Sequence, residues 1–460
     1  MNKLNKTNIR DFTQGNIGRQ LISFSLPLFF SNLLQIVYNM ADMAVVGNIL
    51  GKSGISAVSV GSDLTMLLTF VSMGFSNAGQ VIIARYIGSG QRNKTGRFVG
   101  TMCGFLVLSS IILSFLGLLF QKPLLYLMNT PAEAFEEAAD YCAVSMSGLV
   151  FVYGYNAVSA ILRGMGDSKR PFIFISISAV LNIILDLFFV AVLGTGAWGA
   201  ALATVISQAV SVISCTVYLV KNRKNYELEA SLSDFFRPDR KMLSDFLKLG
   251  TPMAIKTASI QISKLFVNSW INACGVAVSA FAGIANKVSG IANLISTAMN
   301  TAGSTMVGQN IAAGKYDRVK GILKSLSVIT LTTAAVLSFI MVLFPTEIFS
   351  LFTTENDSDV LAIAGGYVPI AVILFFAAAL RAVMNALING SGNYKINFVT
   401  AIFDGIVMRI GLSVLFGYVL DMKHYGFWLG DALAGFTPFF IGFVYYLTGR
   451  WQVNAEETGK

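Results

Sequence analysis

Long apolar stretches separated by short polar segments recur along the whole chain. Each stretch exceeds the ~20 residues that an apolar helix needs to cross a bilayer. Polar residues inside several of them recur every four positions, a period typical of helices. The pattern predicts twelve transmembrane helices, called spans 1 to 12. The spans are predicted at 17–46, 55–82, 98–121, 138–162, 171–193, 197–220, 246–272, 277–307, 322–345, 360–389, 396–419 and 427–449.

Short motifs in the first half of the chain recur in the second half, in the same order. Pro27 in SLPLFF recurs as Pro252 in GTPMAI, and Gly90 in YIGSGQ recurs as Gly314 in NIAAGK. RGMGDSK likewise recurs as INGSGNYK, and all three pairs are separated by nearly the same length of chain. A constant order and spacing indicate an internal repeat. The repeat predicts two related bundles of six helices.

A charged segment separates the two halves. We therefore predict an N-terminal lobe at 1–220 with spans 1–6, a cytoplasmic linker at 221–245, and a C-terminal lobe at 246–460 with spans 7–12. The predicted fold class is an all-α integral membrane protein. Duplicated helical bundles are typical of alternating-access transporters, in which one half rocks against the other.

Composition and charge agree with a membrane protein. The chain is 55% hydrophobic and 12% charged, whereas soluble domains carry about 25% charged residues. Lys and Arg concentrate in alternate loops, so the positive-inside rule places both termini and the linker in the cytoplasm. The loops 122–137 and 346–359 are then predicted outside the cell membrane. The net charge of +9 is explained by this topology, and no nucleic-acid partner is expected.

The residues that common enzyme sites require are not arranged together in the sequence. The four cysteines stand singly, and the only histidine, His424, falls in a predicted outer loop. There is no paired-histidine metal motif, no Ser/His dyad and no phosphate-binding loop. We therefore predict a transporter rather than an enzyme, monomeric and without a cofactor.

Span 1 carries a polar stripe in spite of its apolar surroundings. Ser31, Gln35, Tyr38, Asn39 and Asp42 are spaced so that they share one helical face, which ends in a carboxylate. An ionisable residue in mid-membrane costs on the order of 3 kcal/mol on insertion scales, so it is a functional candidate by default.

Spans 5 and 6 repeat this pattern. Span 5 carries Ser178, Asn182 and Asp186 at i+4 spacing, and span 6 carries Thr204 and Gln208 at the same spacing. Polar side chains of this kind also join helices in membranes, and that alternative stays open for Thr204 and Gln208. Three stripes with two acids predict an aqueous chamber inside the N-terminal lobe.

The same segments resemble a known family. The run P-x7-Q-x2-YN-x2-D-x4-G from Pro27 to Gly47, together with IARYIGSG, LRGMGDSKRP and GAWGAALAT, resembles the MATE multidrug and toxic-compound extrusion transporters. The resemblance extends from about residue 15 to 450. It implies two bundles in a V, and export of small organic compounds by antiport with inward Na+ or H+.

The resemblance also implies a cation site in the N-terminal lobe, of the type found in one branch of the family. Its residues correspond to Asp42, Asn182, Asp186 and Thr204, which would bind Na+ or a proton, and Pro27 corresponds to a hinge. Another branch uses acidic residues on helices 7 and 10. Spans 7 and 10 carry Lys and Arg instead, so no cation site is expected in the C-terminal lobe.

The C-terminal lobe is basic within its spans. Asp404 pairs with one of the basic residues while the others reach the lipid surface, or Lys256, Lys264 and Arg381 form a basic wall that accepts zwitterionic or anionic substrates. The second alternative leaves room for a flippase of lipid-linked saccharides or other anionic lipids. The predicted substrate cavity comprises Gln35, Tyr38, Asn39, Gln208, Lys256, Lys264 and Arg381.

Overall fold

The computed structural model describes residues 7–229, 231–350 and 358–452, which are almost entirely helical and include no β-strand. The predicted all-α class is therefore confirmed for these residues. The helices are α1 (Ile17–Gly88), α2 (Asn93–Leu127), α3 (Phe135–Ser147), α4 (Leu149–Gly164), α5 (Lys169–Asp186), α6 (Gly196–Lys221), α7 (Leu232–Phe236), α8 (Arg240–Asn272), α9 (Val276–Ala312), α10 (Tyr316–Leu343), α11 (Pro345–Ser350), α12 (Ser358–Ser391), α13 (Tyr394–Ile402), α14 (Met408–Val414), α15 (Lys423–Ala434) and α16 (Thr437–Leu447). Wider π turns extend α5 at Leu187–Val192, join α13 to α14 at Phe403–Val407, and follow α14 at Leu415–Val419.

The predicted spans correspond to these helices. α1 contains spans 1 and 2, which are separated by a kink at Gly51 with φ 67° and ψ −154°, a conformation open to glycine because it has no Cβ. Among the described helices, nine are long and apolar enough to cross a membrane, and α3 with α4, bent by 45°, make a tenth. Counting α1 as two crossings and adding the more polar α8 accounts for all twelve predicted spans.

Many apolar side chains on these helices face outward. Phe115 on α2 and Phe339 on α10 are each 65% exposed, and Val444 on α16 is 61% exposed. Large exposed apolar surfaces are unfavourable in water and normal against lipid. This surface agrees with a protein that crosses the bilayer many times.

The chain divides into two compact units. The first unit contains the described residues up to Asp11 together with Leu26–Gly250, and the second contains Phe12–Ser25 and the described residues from Thr251 onward. The first residues of α1, up to Ser25, thus belong to the second unit. The first residues of α8, up to Gly250, belong to the first unit. The two divisions, after Ser25 and after Gly250, have the same separation along the chain as Pro27 and Pro252. The lobe and linker boundaries at 220 and 245 stay a prediction.

In the second unit, a single arginine holds the segment that leads into α1. Arg318 Nε donates to the carbonyl of Phe12 at 2.8 Å, and its two Nη atoms donate to the carbonyls of Gly15 and Gln14 at 2.8 and 2.9 Å. Gln309 Oε1 accepts a hydrogen bond from the Phe12 backbone at 2.9 Å. Bonds from a guanidinium are stronger than neutral ones, so the start of α1 is firmly attached to this unit.

In the first unit, aromatic packing holds the start of α8. Phe246 is fully buried, and its ring centroid lies 5.6 Å from Phe75, 5.7 Å from Phe98 and 5.6 Å from Phe105. All three contacts are edge-to-face, the geometry that aromatic rings favour. Helices α1, α2 and α8 are thereby held together around this cluster.

Candidate functional site

In the first unit, α5 and α6 present polar side chains to one another. Asn182 Nδ2 donates to Thr204 Oγ1 at 3.3 Å, and Ser178 Oγ donates to the carbonyl of Ser207 at 2.8 Å. Ser178, Asn182 and Asp186 are all buried, as their i+4 spacing on one face predicts. The structure therefore brings the predicted residues of spans 5 and 6 together.

The stripe on α1 lies close to these residues of α5. Asp42 is 9% exposed and Asp186 is fully buried, and the two carboxylates are close enough to interact electrostatically. Tyr38 lies beside both Asp42 and Gln208. The predicted acids of spans 1 and 5 thus face a common polar region, although they are far apart in the sequence.

Several oxygen atoms of these polar residues are buried without a hydrogen-bond partner in the described part of the chain. They are Oδ1 of Asp42, Oδ1 of Asn182, both carboxylate oxygens of Asp186, and Oε1 of Gln208. Leaving buried polar atoms unpaired is costly, so such atoms are usually satisfied by water, an ion or another ligand. A donor set made only of carboxylate, amide and hydroxyl oxygens fits a hard cation such as Na+, or a proton on a carboxylate.

Not every predicted residue joins this set. Gln35 is half-buried and Asn39 is exposed, and neither makes a side-chain hydrogen bond to the buried oxygens named above. Tyr141 on α3, which was not predicted, is buried and lies near Asp42 and Tyr38. Tyr141 and Ser145 are four residues apart in span 4 and form a polar pair on one helical face. That pair could have indicated Tyr141 as a site residue.

In the second unit, a buried arginine joins two carboxylates. Arg409 is 1% exposed, its Nη2 lies 3.3 Å from Asp404 Oδ1, and its Nη1 bonds Asp431 Oδ1. Asp404 lies within the π turn Phe403–Val407, five residues before Arg409. A π turn pairs residues five apart, and such turns are frequent at functional sites. Asp404 therefore does pair with a cation, and that cation is Arg409.

The other basic residues lie around this group. Lys256 is 8% exposed and donates to Asn385 Oδ1 on α12. Lys264 and Arg381 are half-buried, and each lies close enough to Asp404 and Asp431 to interact electrostatically. Asn385 and Asp431 were not predicted. An acidic residue in the apolar span 12 was a usable signal for Asp431, because intramembrane ionisable residues are functional candidates by default.

The family model MatE matches residues 27–188 and 252–415. The chain belongs to the MatE family. The two matched segments begin at Pro27 and Pro252, so the family model recognises the internal repeat twice. The matches include both proline motifs, all of α5, and the π turn with Asp404 and Arg409. Members of this family are transporters, and this MatE chain is accordingly a multi-pass membrane transporter and not an enzyme.

Relatives of the MatE chain match over nearly their whole length. "Probable multidrug resistance protein YpnP" of Bacillus subtilis is 29% identical over 444 residues, 96% of this chain and 97% of the relative. "Probable multidrug resistance protein YoeA" of the same species is 27% identical over 435 residues, 94% of each chain. A solved structure described as the outward-facing conformation of a multidrug resistance MATE family transporter superposes with a TM-score of 0.88 at 23% identity, over 96% of this chain and 97% of that one.

Proposed function

We propose that this MatE protein exports small organic compounds, drugs among them, across the cell membrane by antiport with inward Na+ or H+. The observation that carries the proposal is the oxygen set of the buried Asp42, Asn182 and Asp186 with the half-buried Thr204. Several of its atoms have no hydrogen-bond partner in the described residues. YpnP and YoeA, both named as probable multidrug resistance proteins, support transport of an organic compound.

The proposed coupling follows from electrostatics. Two carboxylates that face one buried chamber repel each other when both are ionised, and a bound cation or proton relieves that repulsion. A cation entering from outside would stabilise one arrangement of α1, and its release inside would favour another. Pro27 is the proposed hinge, because proline removes a backbone hydrogen bond within a helix. It lies two residues after Ser25, where the grouping of α1 changes from one unit to the other.

A proteoliposome assay tests this function. The purified protein is reconstituted with ethidium as a cationic dye, and a Na+ gradient or an H+ gradient is imposed separately. We expect one of the two gradients to drive the dye against its own concentration gradient, and an ionophore that collapses that gradient to stop the transport. Equilibration of the dye without accumulation under either gradient would contradict antiport.

The proposed topology places both termini and the linker in the cytoplasm. Lys224 follows α6 and Glu133 precedes α3, and both side chains are exposed. In a variant without the four native cysteines, Lys224→Cys should react with an impermeant maleimide only from the cytoplasmic side. Glu133→Cys should react only from outside. Labelling of both positions from the same side would refute the arrangement. The second predicted outer loop, 346–359, lies partly outside the described residues.

The basic residues of the second unit support a second class of transported compound. Lys256, Lys264 and Arg381 would suit the headgroup of an anionic lipid or lipid-linked saccharide, which makes this MatE chain a candidate flippase. The oxygen set in the first unit favours the antiporter, since lipid flipping does not by itself require a cation site. The absence of a cofactor and a monomeric state stay predictions.

A further inference from the structure

The buried and half-buried charges within the described spans of the second unit do not balance. Among these residues, the cations Lys256, Lys264, Arg381 and Arg409 lie around two carboxylates, Asp404 and Asp431, which leaves a formal excess of two positive charges. Each unpaired charge within a membrane is costly. An arginine does not lose its proton in a protein, so the excess would disappear only if both lysines lost theirs.

Both carboxylates are already committed to one partner. Within the described residues, the salt bridges of Asp404 and Asp431 go to Arg409, which is almost completely buried. Arg409 therefore serves as the structural cation, held between two acids. Lys256, Lys264 and Arg381 interact with the acids only at longer range.

Lys256 and Arg381 retain N–H groups that can donate further hydrogen bonds. Lys256 bonds the neutral amide oxygen of Asn385, and its ammonium retains two further N–H groups. Arg381 Nε is buried without a hydrogen-bond partner in the described part of the chain. The Arg381 guanidinium lies against Gly435, where an added Cβ would come within 2.7 Å of its Nη2. The side chain thus reaches the α15–α16 junction because that position has no side chain.

The three cations also converge from two helices. Lys256 and Lys264 are eight residues apart on α8, about 80° around the helix, so both can face one region at different depths. The bond from Lys256 to Asn385 joins α8 to α12, the helix that carries Arg381 four residues earlier. Lys256 and Arg381, and Lys264 and Arg381, each lie within electrostatic range of one another. An acidic group placed beside these like charges would offset part of their repulsion.

We propose that Lys256, Lys264 and Arg381 bind the acidic group, carboxylate or phosphate, of the transported compound. The inference rests on the proposed export function and adds organic anions and zwitterions to its substrate class. The acidic group replaces the missing counter-charge in the second unit. Arg381 offers a planar pair of donors to a carboxylate or phosphate, and the lysines add point charges.

Transport of three dyes tests the inference in proteoliposomes of phosphatidylcholine. The dyes are carboxyfluorescein as an anion, rhodamine B as a zwitterion and ethidium as a cation. Wild type is compared with Lys256→Gln/Lys264→Gln and with Lys264→Gln alone, which leaves the Lys256–Asn385 bond intact. The matched control is Lys324→Gln/Lys395→Gln, which removes the same charge at two exposed positions.

Loss of a buried counter-charge should lower carboxyfluorescein transport by about tenfold or more in the double variant. Ethidium transport should change less than about twofold, which also shows that the variant is folded. The control should match wild type for all three dyes. An equal loss for every dye in both lysine variants would overturn the inference, as would wild type that moves ethidium and never carboxyfluorescein.

A further arm distinguishes a soluble anion from a lipid headgroup. Phosphatidylglycerol is added to the vesicles at increasing fraction. Competition by the lipid in wild type, absent in the lysine variant, would identify a headgroup as the source of the acidic group. No competition, with carboxyfluorescein still transported, would identify a soluble compound. Wild type that moves no dye under any gradient would refute the export function itself, a result separate from the anion test.

Discussion

Asp42→Asn and Asp186→Asn should each abolish gradient-driven ethidium export from proteoliposomes while the protein remains folded and inserted. One carboxylate–cation contact at about 4 Å is worth ~4 kcal/mol at an effective dielectric of about 20. Replacing the charge by an isosteric amide should therefore lower coupled transport about 100-fold or more. The shape of the chamber is kept, because Asn has nearly the volume of Asp.

Asp63→Asn is the matched control for this experiment. Asp63 lies on the same long helix α1, but its side chain is exposed, so its neutralisation should leave export within about twofold of wild type. Each variant is also measured for downhill dye exchange without a gradient. Full uphill export by both Asp42→Asn and Asp186→Asn would eliminate the proposed coupling site.

Arg409→Gln should strongly destabilise the folded protein. It would leave Asp404 and Asp431 facing each other without the buried guanidinium that both now bond. Removing one member of a buried ion network typically costs about 3–5 kcal/mol, because an uncompensated charge remains. The measurement is the unfolding midpoint and free energy in detergent micelles, followed by tryptophan fluorescence.

Two comparisons separate this effect from a general loss of an arginine. Arg450→Gln removes an exposed arginine and should stay within about 0.5 kcal/mol of wild type. Asp404→Asn/Arg409→Gln/Asp431→Asn removes all three charges together and should recover part of the stability, since no carboxylate is left without the guanidinium that it bonds. If Arg409→Gln unfolds like wild type, the three residues do not form the buried network described above.

The sequence was sufficient to predict the membrane helices and most of the first site. Apolar runs longer than ~20 residues specify crossings whatever their neighbours are, and the i+4 spacing of Ser178, Asn182 and Asp186 specifies their common face on α5. The internal repeat also reappears in the structure, where the grouping of the chain changes at equivalent places in the two copies, after Ser25 and after Gly250.

The other contacts of the two groups of polar residues depend on three-dimensional geometry that no local sequence pattern encodes. Asp404 and Arg409 are five residues apart, a spacing that does not align on an α-helix, and the π turn that contains Asp404 was not predicted from the sequence. Asp431 and Asn385 enter through packing between helices that are distant in sequence. The exposure of Asn39 also could not be predicted from the sequence. Helical periodicity assigns a residue to a face of the helix, but it does not show what covers that face.

Cation movement driven by the substrate alone tests the central claim most directly. Wild-type proteoliposomes are loaded with ethidium without an imposed cation gradient, and the flux of 22Na+ and of protons is recorded as the dye leaves. The antiport account predicts that one of these cations moves opposite to the dye, and that Asp42→Asn and Asp186→Asn show no such movement. Dye flux in wild type with no accompanying Na+ or H+ movement would contradict it.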